Sequence, residues 1–380
     1  MSIYLDHNAT TPLRPAALEA MRPFLSETVG NASSIHVFGQ KASAAVARAR
    51  ARVKTLIGGP SGDLIFTGSG TEAVFLAMIG VARSAREGRR HIVVSAIEHP
   101  AGIDAANHLI DREWEVTWLS PDSSGRVMPE SVSDAIRGDT ALVSVMHANN
   151  ETGVIQPVEA IARICRSRGV PYHVDAVQSL GKIPVNAEGW DVDLLSIAAH
   201  KFGGPLGVGA LWIRSGLELA PVIPGTQERG LRGGTHNLPG IVGFGAAAEG
   251  SRHDLAGQTD ALEALRDRLE AGMAEAVPQA TLTAAGSDRL PNTSHYTFDP
   301  GLGRDLVLAL DLEGFAVSSG SACKSGSVNP SHVLLAMRLS PDRVRTAIRV
   351  SLGNGNTPAD VDRFVAAVSG LVNTGQRVRS

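Results

Sequence analysis

The sequence predicts an α/β protein whose larger unit is a seven-strand, mostly parallel sheet covered by helices, beside a smaller α+β unit. Three observations lead there. From about residue 40 to 215, short apolar runs alternate with longer amphipathic ones, the pattern of a largely parallel sheet. Beyond about residue 290 the strands are shorter and differently spaced, and the 380-residue length exceeds the roughly 250–300 at which one hydrophobic core divides.

In chain order, Ala42, Ala45, Val46, Ala49, Val53, Leu56 and Ile57 share one helical face, and Gly58-Gly59 ends that run. Strands follow at 63–67, 91–95, 115–119, 141–147, 170–175, 192–198 and 207–213. Helical segments separate the earlier ones, while the last three follow one another closely, so a mixed sheet fits better than an all-parallel barrel. After a Gly-rich stretch near 225–240, a helix-like region around 258–275 bridges to short strands near 292–298, 315–318 and 345–351 and helices near 303–313 and 358–373. The expected division is a large unit of 16–257 and a small one of 1–15 with 258–380. Ser318 to His332, SSGSACKSGSVNPSH, is the most loop-like segment in the chain.

Composition narrows the function. Thirty-five Lys and Arg against 38 Asp and Glu give a net charge of −3, and 4% of residues are aromatic, which offers neither a phosphate-tracking surface nor base-stacking platforms. Nucleic acid is therefore not expected as a direct partner. The N-terminus lacks a basic segment followed by an apolar stretch, and no window approaches 18 uninterrupted apolar residues, so a cytoplasmic protein without a membrane partner is expected. Two cysteines, Cys165 and Cys323, are too few for a disulfide framework. Cys165 has helical spacing among apolar residues and reads as core, whereas Cys323 sits among Ser and Gly and reads as a reactive thiol.

Four motifs carry chemistry. The strand at 63–67 runs into Gly68-Ser69-Gly70-Thr71-Glu72 and then a helix, so backbone N–H groups and the Thr71 hydroxyl are placed to gather around a phosphate. The competing reading is a plain strand-to-helix turn with Thr as cap; no Lys follows the glycines, so it is not a nucleotide P-loop. Asp175, with Gln178 three residues on, and Lys201 each end a strand, the edge where ligands bind in an open α/β sheet. A lysine there can form a Schiff base with an aldehyde cofactor, and an aspartate can keep a pyridinium nitrogen protonated so that the ring acts as an electron sink. His99 follows another strand and suits ring stacking or proton shuttling; Asn150, in Asn149-Asn150-Glu151, offers an amide to a ring hydroxyl. A loop histidine and a turn-forming Asn pair are the plain alternatives.

Taken together, these motifs resemble the NifS/IscS-type cysteine desulfurases, fold-type I pyridoxal-phosphate enzymes of the class V aminotransferase group. The resemblance spans nearly the whole chain: YLDHNATTP at 4–12, Gly30-Asn31 to His36, FTGSGTE at 66–72, EHP at 98–100, MHANNETGV at 146–154, YHVDAVQSLGK at 172–182, His200-Lys201, QERGLRGGT at 227–235 and SSGSAC at 318–323. SSGSAC marks the desulfurases with a long loop, as against aminotransferase relatives lacking the cysteine.

The resemblance implies pyridoxal 5′-phosphate held covalently by Lys201, with Asp175 on the ring nitrogen, Gln178 and Asn150 near the ring oxygen, and His99 stacked on the ring. Gly70, Thr71 and His200 match phosphate contacts, and Thr235 matches a contact reaching in from a second subunit, which implies a homodimer. Arg349, with Asn150, would hold the carboxylate of L-cysteine, and Cys323 would take up sulfur for an acceptor such as an iron–sulfur scaffold; no metal is implied. This chain departs from the common pattern at Ala198, where many members carry a hydroxyl or thiol, at Pro205-Leu206-Gly207, at Ala73-Val74-Phe75 and at Gly225-Thr226. A selenocysteine lyase, a class V aminotransferase and a non-catalytic sulfur-relay protein remain the alternatives at this point.

Overall fold

A computed structural model describes residues 2–299, 306–319 and 330–377, with side chains to residue 373 in the last segment. Cys323, most of the loop-like segment around it, and the first turn of the helix expected near 303–313 lie outside the described residues. Strands in chain order are β1 (Ile3–Tyr4), β2 (Asp63–Thr67), β3 (His91–Ser95), β4 (Glu115–Leu119), β5 (Thr140–Ser144), β6 (Tyr172–Asp175), β7 (Leu194–Ala198), β8 (Gly209–Ile213), β9 (Ala280–Leu282), β10 (Thr293–Phe298), β11 (Phe315–Ala316) and β12 (Ile348–Ser351). Helices are α1 (Pro15–Ser26), α2 (Val37–Leu56), α3 (Gly70–Ser84), α4 (Pro100–Ile110), α5 (Pro129–Ala135), α6 (Val158–Arg168), α7 (Leu238–Ala276), α8 (Leu306–Leu312), α9 (His332–Ala336), α10 (Pro341–Val344) and α11 (Pro358–Arg377).

β2 to β8 form the seven-strand sheet, in the order β2-β8-β7-β6-β5-β3-β4. β3 to β7 pair in parallel, whereas β8 is antiparallel to both β7 and β2. Every residue of β3, β5, β6, β7 and β8 is buried, as a sheet covered on both faces requires, while β4 at the edge is half exposed. Two antiparallel pairings in succession turn β2 back to the direction of β7. The loops after β2, β3, β5, β6 and β7 therefore all open on one edge, where an open sheet of this kind binds its ligand.

One helix differs from expectation. The helix-like region at 258–275 is the second half of a 39-residue helix, α7, roughly 58 Å long, that starts at Leu238. Its first half, which includes GIVGFGAAAEG, lies mostly between the Gly-rich stretch and the expected helix and carries glycines that lower helix propensity. Tertiary packing overrides that propensity: a Cβ at Gly245 would lie 2.6 Å from the Ala49 Cα, so the small residues allow α2 to lie close against α7. Leu238, Ile241 and Phe244 join the core of the main sheet, and Leu262, Leu269 and Met273 join a second core with Ile3, Leu5, Tyr296, Phe298, Ile348 and Phe364. That second core is built on the antiparallel sheet β12-β10-β9 and the parallel pair β1-β11, so the first residues of the chain pack against the last third.

Candidate active site

At the end of β2, Ser69 caps α3 by accepting from the Glu72 N–H at 3.1 Å. The cap is thus Ser69 rather than Thr71, whose exposed side chain is left facing outward from the first helical turn. Glu72 braces the loop from behind, accepting from the Gly68 N–H at 2.7 Å and from Arg232 Nε at 2.8 Å. A Cβ at Gly70 would come within 3.0 Å of Val177 and 3.2 Å of Ala198, and one at Gly209 within 2.8 Å of the Gly70 nitrogen. Glycine at 209 lets β8 lie against the Ser69-Gly70 backbone, and glycine at 70 leaves room for the Val177 and Ala198 side chains. The segment carrying the exposed Thr235 is held beside this loop: buried Glu228 accepts from Arg50 at 2.8 and 2.7 Å, from the Phe66 N–H at 2.8 Å, and pairs with His236 at 2.8 Å. Burial pushes the Glu228 carboxyl up, but these bonds and the Arg50 charge bring it down to about 2.

Asp175, the last residue of β6, is buried and accepts from the Val177 N–H at 2.9 Å. Burial pushes its carboxyl up to about 6, against the pull of that N–H and of Lys201. Lys201 lies in the single 3₁₀ turn after β7, where its Nζ donates to the carbonyls of Asn8 at 2.6 Å and Ala9 at 3.0 Å. His99 caps α4 with Nδ1 accepting from the Ala101 N–H at 3.1 Å. Burial, then the Lys201 and His332 charges, push its imidazole down to about 4, so it is neutral at pH 7. His200, held down to about 4 by burial and the two neighbouring lysines, pairs with Thr10 at 3.1 Å.

Across the crevice, the Arg349 side chain on β12 is almost wholly buried. It donates to Asp6 Oδ1 at 2.6 Å and to the Asn150 carbonyl at 2.8 Å, while its Nε is buried without a partner. The side-chain oxygen of Asn150 is also buried without one. The structure thus brings Gly70, Thr71, His99, Asn150, Asp175, Gln178, His200 and Lys201 to one sheet edge with Arg349 facing them. Thr235 stays on the surface, and Cys323 is outside the described residues. Cys165 is buried, its thiol pushed up to about 12 chiefly by burial, in keeping with a core role.

Sequence reasoning missed the residues that tie this edge together. Asn8 accepts through its carbonyl from Lys201 and from Gln178 Nε2 at 2.8 Å; its side chain accepts from Lys182 at 2.8 Å and donates to Thr293 at 2.9 Å. Buried Glu98 accepts from the Met146 N–H at 2.7 Å, joining the His99 loop to the β5 side, and burial with the nearby Asp175 charge holds its carboxyl well above the usual range. Buried Glu151 accepts from Ser331 at 2.6 Å, and His332 pairs with the Glu98 carbonyl at 2.8 Å. One signal was available: Lys182 follows Gln178 by four residues, in a run placed directly after Asp175.

The model of the family described as aminotransferase class-V matches residues 3–364. The chain is 43% identical over 374 residues to a cysteine desulfurase of Gluconacetobacter diazotrophicus, covering 98% of this chain and 93% of the relative. It is 42% identical over 361 residues to the cysteine desulfurase IscS of Dictyoglomus turgidum, covering 95% and 92%. This chain belongs to the class V aminotransferase family, in its NifS/IscS-type cysteine desulfurase group. Among solved structures, a NifS-like protein superposes with a TM-score of 0.91 at 37% identity, covering 98% of this chain and 100% of that one. A protein described as SspA in complex with cysteine superposes with a TM-score of 0.82 at 34% identity, covering 93% and 99%. Family membership agrees with a sheet edge that holds Lys201, the buried Asp175 and a glycine-lined helix start. Among the described residues, no helix is long and apolar enough to cross a membrane.

Proposed function

We propose that this chain converts L-cysteine to L-alanine with pyridoxal 5′-phosphate, leaving the sulfur on Cys323 as a persulfide for an acceptor such as an iron–sulfur scaffold. The observation that carries this reading is the placement of Lys201 and buried Asp175 on one sheet edge, opposite Arg349. Three features fit the cofactor. The Asp175 carboxyl forms no ion pair among the described residues, the Asn150 side-chain oxygen is an orphaned acceptor, and Gly70 leaves a backbone cradle at a helix start. When bound, the cofactor supplies an electron sink for the carbanion formed at the substrate Cα.

Lys201 would hold the cofactor covalently, and its Nζ, which the Asn8 and Ala9 carbonyls orient, is placed to carry the substrate Cα proton. Asp175 supplies the negative charge that keeps a ring nitrogen protonated, and Gln178 and Asn150 border the ring oxygen. His99, neutral at pH 7, offers a ring face and a base for a thiol proton. Gly70, Thr71 and His200 border the phosphate. Arg349 has two nitrogens engaged and keeps Nε for a substrate carboxylate. In the net reaction the Cβ–Sγ bond of cysteine breaks and an S–S bond to Cys323 forms. One thiol hydrogen ends on the alanine Cβ and the other on the persulfide.

A homodimer completes the site in this reading. Thr235 is exposed, and Val29, Ile35 and Phe38 present 76%, 91% and 55% of their surface, which supports a second copy covering them. The separate core built on the β12-β10-β9 sheet supports a division into 16–257 and 1–15 with 258–380, although Val333, Leu334 and Met337 pack into the main-sheet core. Two cysteines in 380 residues support a reducing, cytoplasmic setting.

The test is direct. Purified protein given pyridoxal 5′-phosphate should show a visible absorbance band and turn L-cysteine into equal amounts of alanine and persulfide, with the extra sulfur mapped to Cys323 by mass spectrometry. Alanine without persulfide would point to a lyase, and keto acid would point to a transaminase.

A further inference from the structure

Lys182 is almost wholly buried, yet among the described residues no carboxylate lies within ion-pair distance of it. Its Nζ instead lies 2.8 Å from Gln178 Oε1 and 2.8 Å from Asn8 Oδ1. Both partners are acceptors, so the amine must donate to each. Burial, followed by the Lys201 and Arg349 charges, holds this amine well below the ordinary lysine range, and a neutral amine still has the two N–H groups these contacts need.

This geometry decides the orientation of two side-chain amides. With Oε1 engaged by Lys182, Gln178 turns Nε2 to the Asn8 carbonyl at 2.8 Å, the same carbonyl that receives Lys201 at 2.6 Å. With Oδ1 taken by Lys182 and by Asn292 at 3.2 Å, Asn8 turns Nδ2 to Thr293 at 2.9 Å. Thr293 in turn donates to Asn292 at 3.0 Å. A closed set of bonds thus links the N-terminal segment, the turn after β6 and the start of β10, and Lys182 is the only member that donates to both amides.

We propose that Lys182 is a positioning residue: through Gln178 and Asn8 it fixes which amide end faces the ring-oxygen side of the site and where the Asn8 carbonyl stands to receive the Lys201 amine. This rests on the cofactor reading above. Without Lys182, Gln178 Oε1 is a buried acceptor lacking its partner, and its amide gains the freedom to turn over.

A double-mutant cycle on the apoprotein tests it, with binding of pyridoxal 5′-phosphate followed by fluorescence titration. Lys182→Met keeps an unbranched chain of similar length, and Gln178→Leu removes the amide. Each single variant should bind about tenfold more weakly, the scale of one lost hydrogen bond, and the double variant should lose clearly less than the roughly hundredfold that two independent losses would give, since only the Asn8 route is left to Lys182 once Gln178 is gone. Wild-type affinity in Lys182→Met, or penalties that multiply in the double variant, would overturn the proposal, because a merely structural lysine acts independently of Gln178. Should Lys182→Met fail to give a cooperative thermal transition, Lys182→Leu, which likewise has no N–H to donate, enters the same cycle with the same criteria. If the wild-type protein bound no pyridoxal 5′-phosphate, the cofactor reading itself would fall, and that control separates the two failures.

Discussion

Asp175 places stability and activity in opposition, and Asp175→Asn should separate them. Its carboxyl stands at about 6 instead of the ordinary 3.8, chiefly because burial penalises the charged form. A displacement of that size corresponds to about 3 kcal/mol. The folded pKa is raised, so the group's favourable contribution is fully present below 3.8 and is lost as pH rises through 6. At pH 7.5 the apoprotein therefore holds a desolvated carboxylate at a cost of up to about 3 kcal/mol. Asparagine carries no charge and can still accept from the Val177 N–H, which lies 2.9 Å from the present carboxylate. With an unfolding entropy of about 0.8 kcal/mol/K for a chain of this length, the variant apoprotein should melt up to about 4 °C higher than wild type at pH 7.5, the gap closing as pH falls below 5. Calorimetry of apoprotein at pH 5 and 7.5 measures this. Desulfurase turnover of the reconstituted variant should meanwhile fall by orders of magnitude, since no negative charge then holds the ring nitrogen protonated. A variant no more stable at pH 7.5 than at pH 5 relative to wild type, or one with wild-type turnover, would refute the reasoning.

Further outcomes follow from other residues. Lys201→Ala should bind pyridoxal 5′-phosphate without any borohydride-reducible attachment, and a reduced adduct found by mass spectrometry in that variant would remove Lys201 from its assigned role. Cys323→Ser should still bind L-cysteine, with a change in the cofactor spectrum, yet release no sulfur because a serine hydroxyl has little affinity for divalent sulfur, whereas Cys165→Ser keeps turnover; an alanine and sulfide assay checks both. Burial holds His173 and His295 down to about 3 and His147 to about 4, so their contribution to stability is present above 6.5 and lost as pH falls toward those values. The unfolding free energy of the apoprotein, measured by urea titration, should therefore drop steeply between pH 6.5 and 4, by up to about 1.4 kcal/mol per pH unit for each such group, and a flat profile would contradict the burial argument. Ala198→Ser sets a hydroxyl beside the Gly70 backbone and should tighten cofactor binding by roughly 0.5–1.5 kcal/mol in a fluorescence titration; unchanged affinity would show that another group already serves.

Much of this protein was legible in its sequence because the signals are local. Each of the seven main strands is a run of four or five mostly apolar residues, and Asp175 and Lys201 announce themselves at or just beyond the ends of such runs. The first half of α7 escaped because it is rich in the small residues that allow α2 to approach, and local propensity cannot foresee that contact. Neither the direction of β2 nor the network around Lys201 has a local signature. The GSGT loop shares an edge with Lys201 only because two antiparallel pairings follow in succession. Asn8 meets Lys201 across 193 positions, Lys182 across 174 and the Ser351 hydroxyl across 343. The sequence by itself determined which groups end the strands. Which distant carbonyl receives the Lys201 amine, and which way the Gln178 amide faces, was decided only by the folded chain, because a hydrogen bond depends on the position of its partner in space and sequence periodicity records only the alternation of buried and exposed faces.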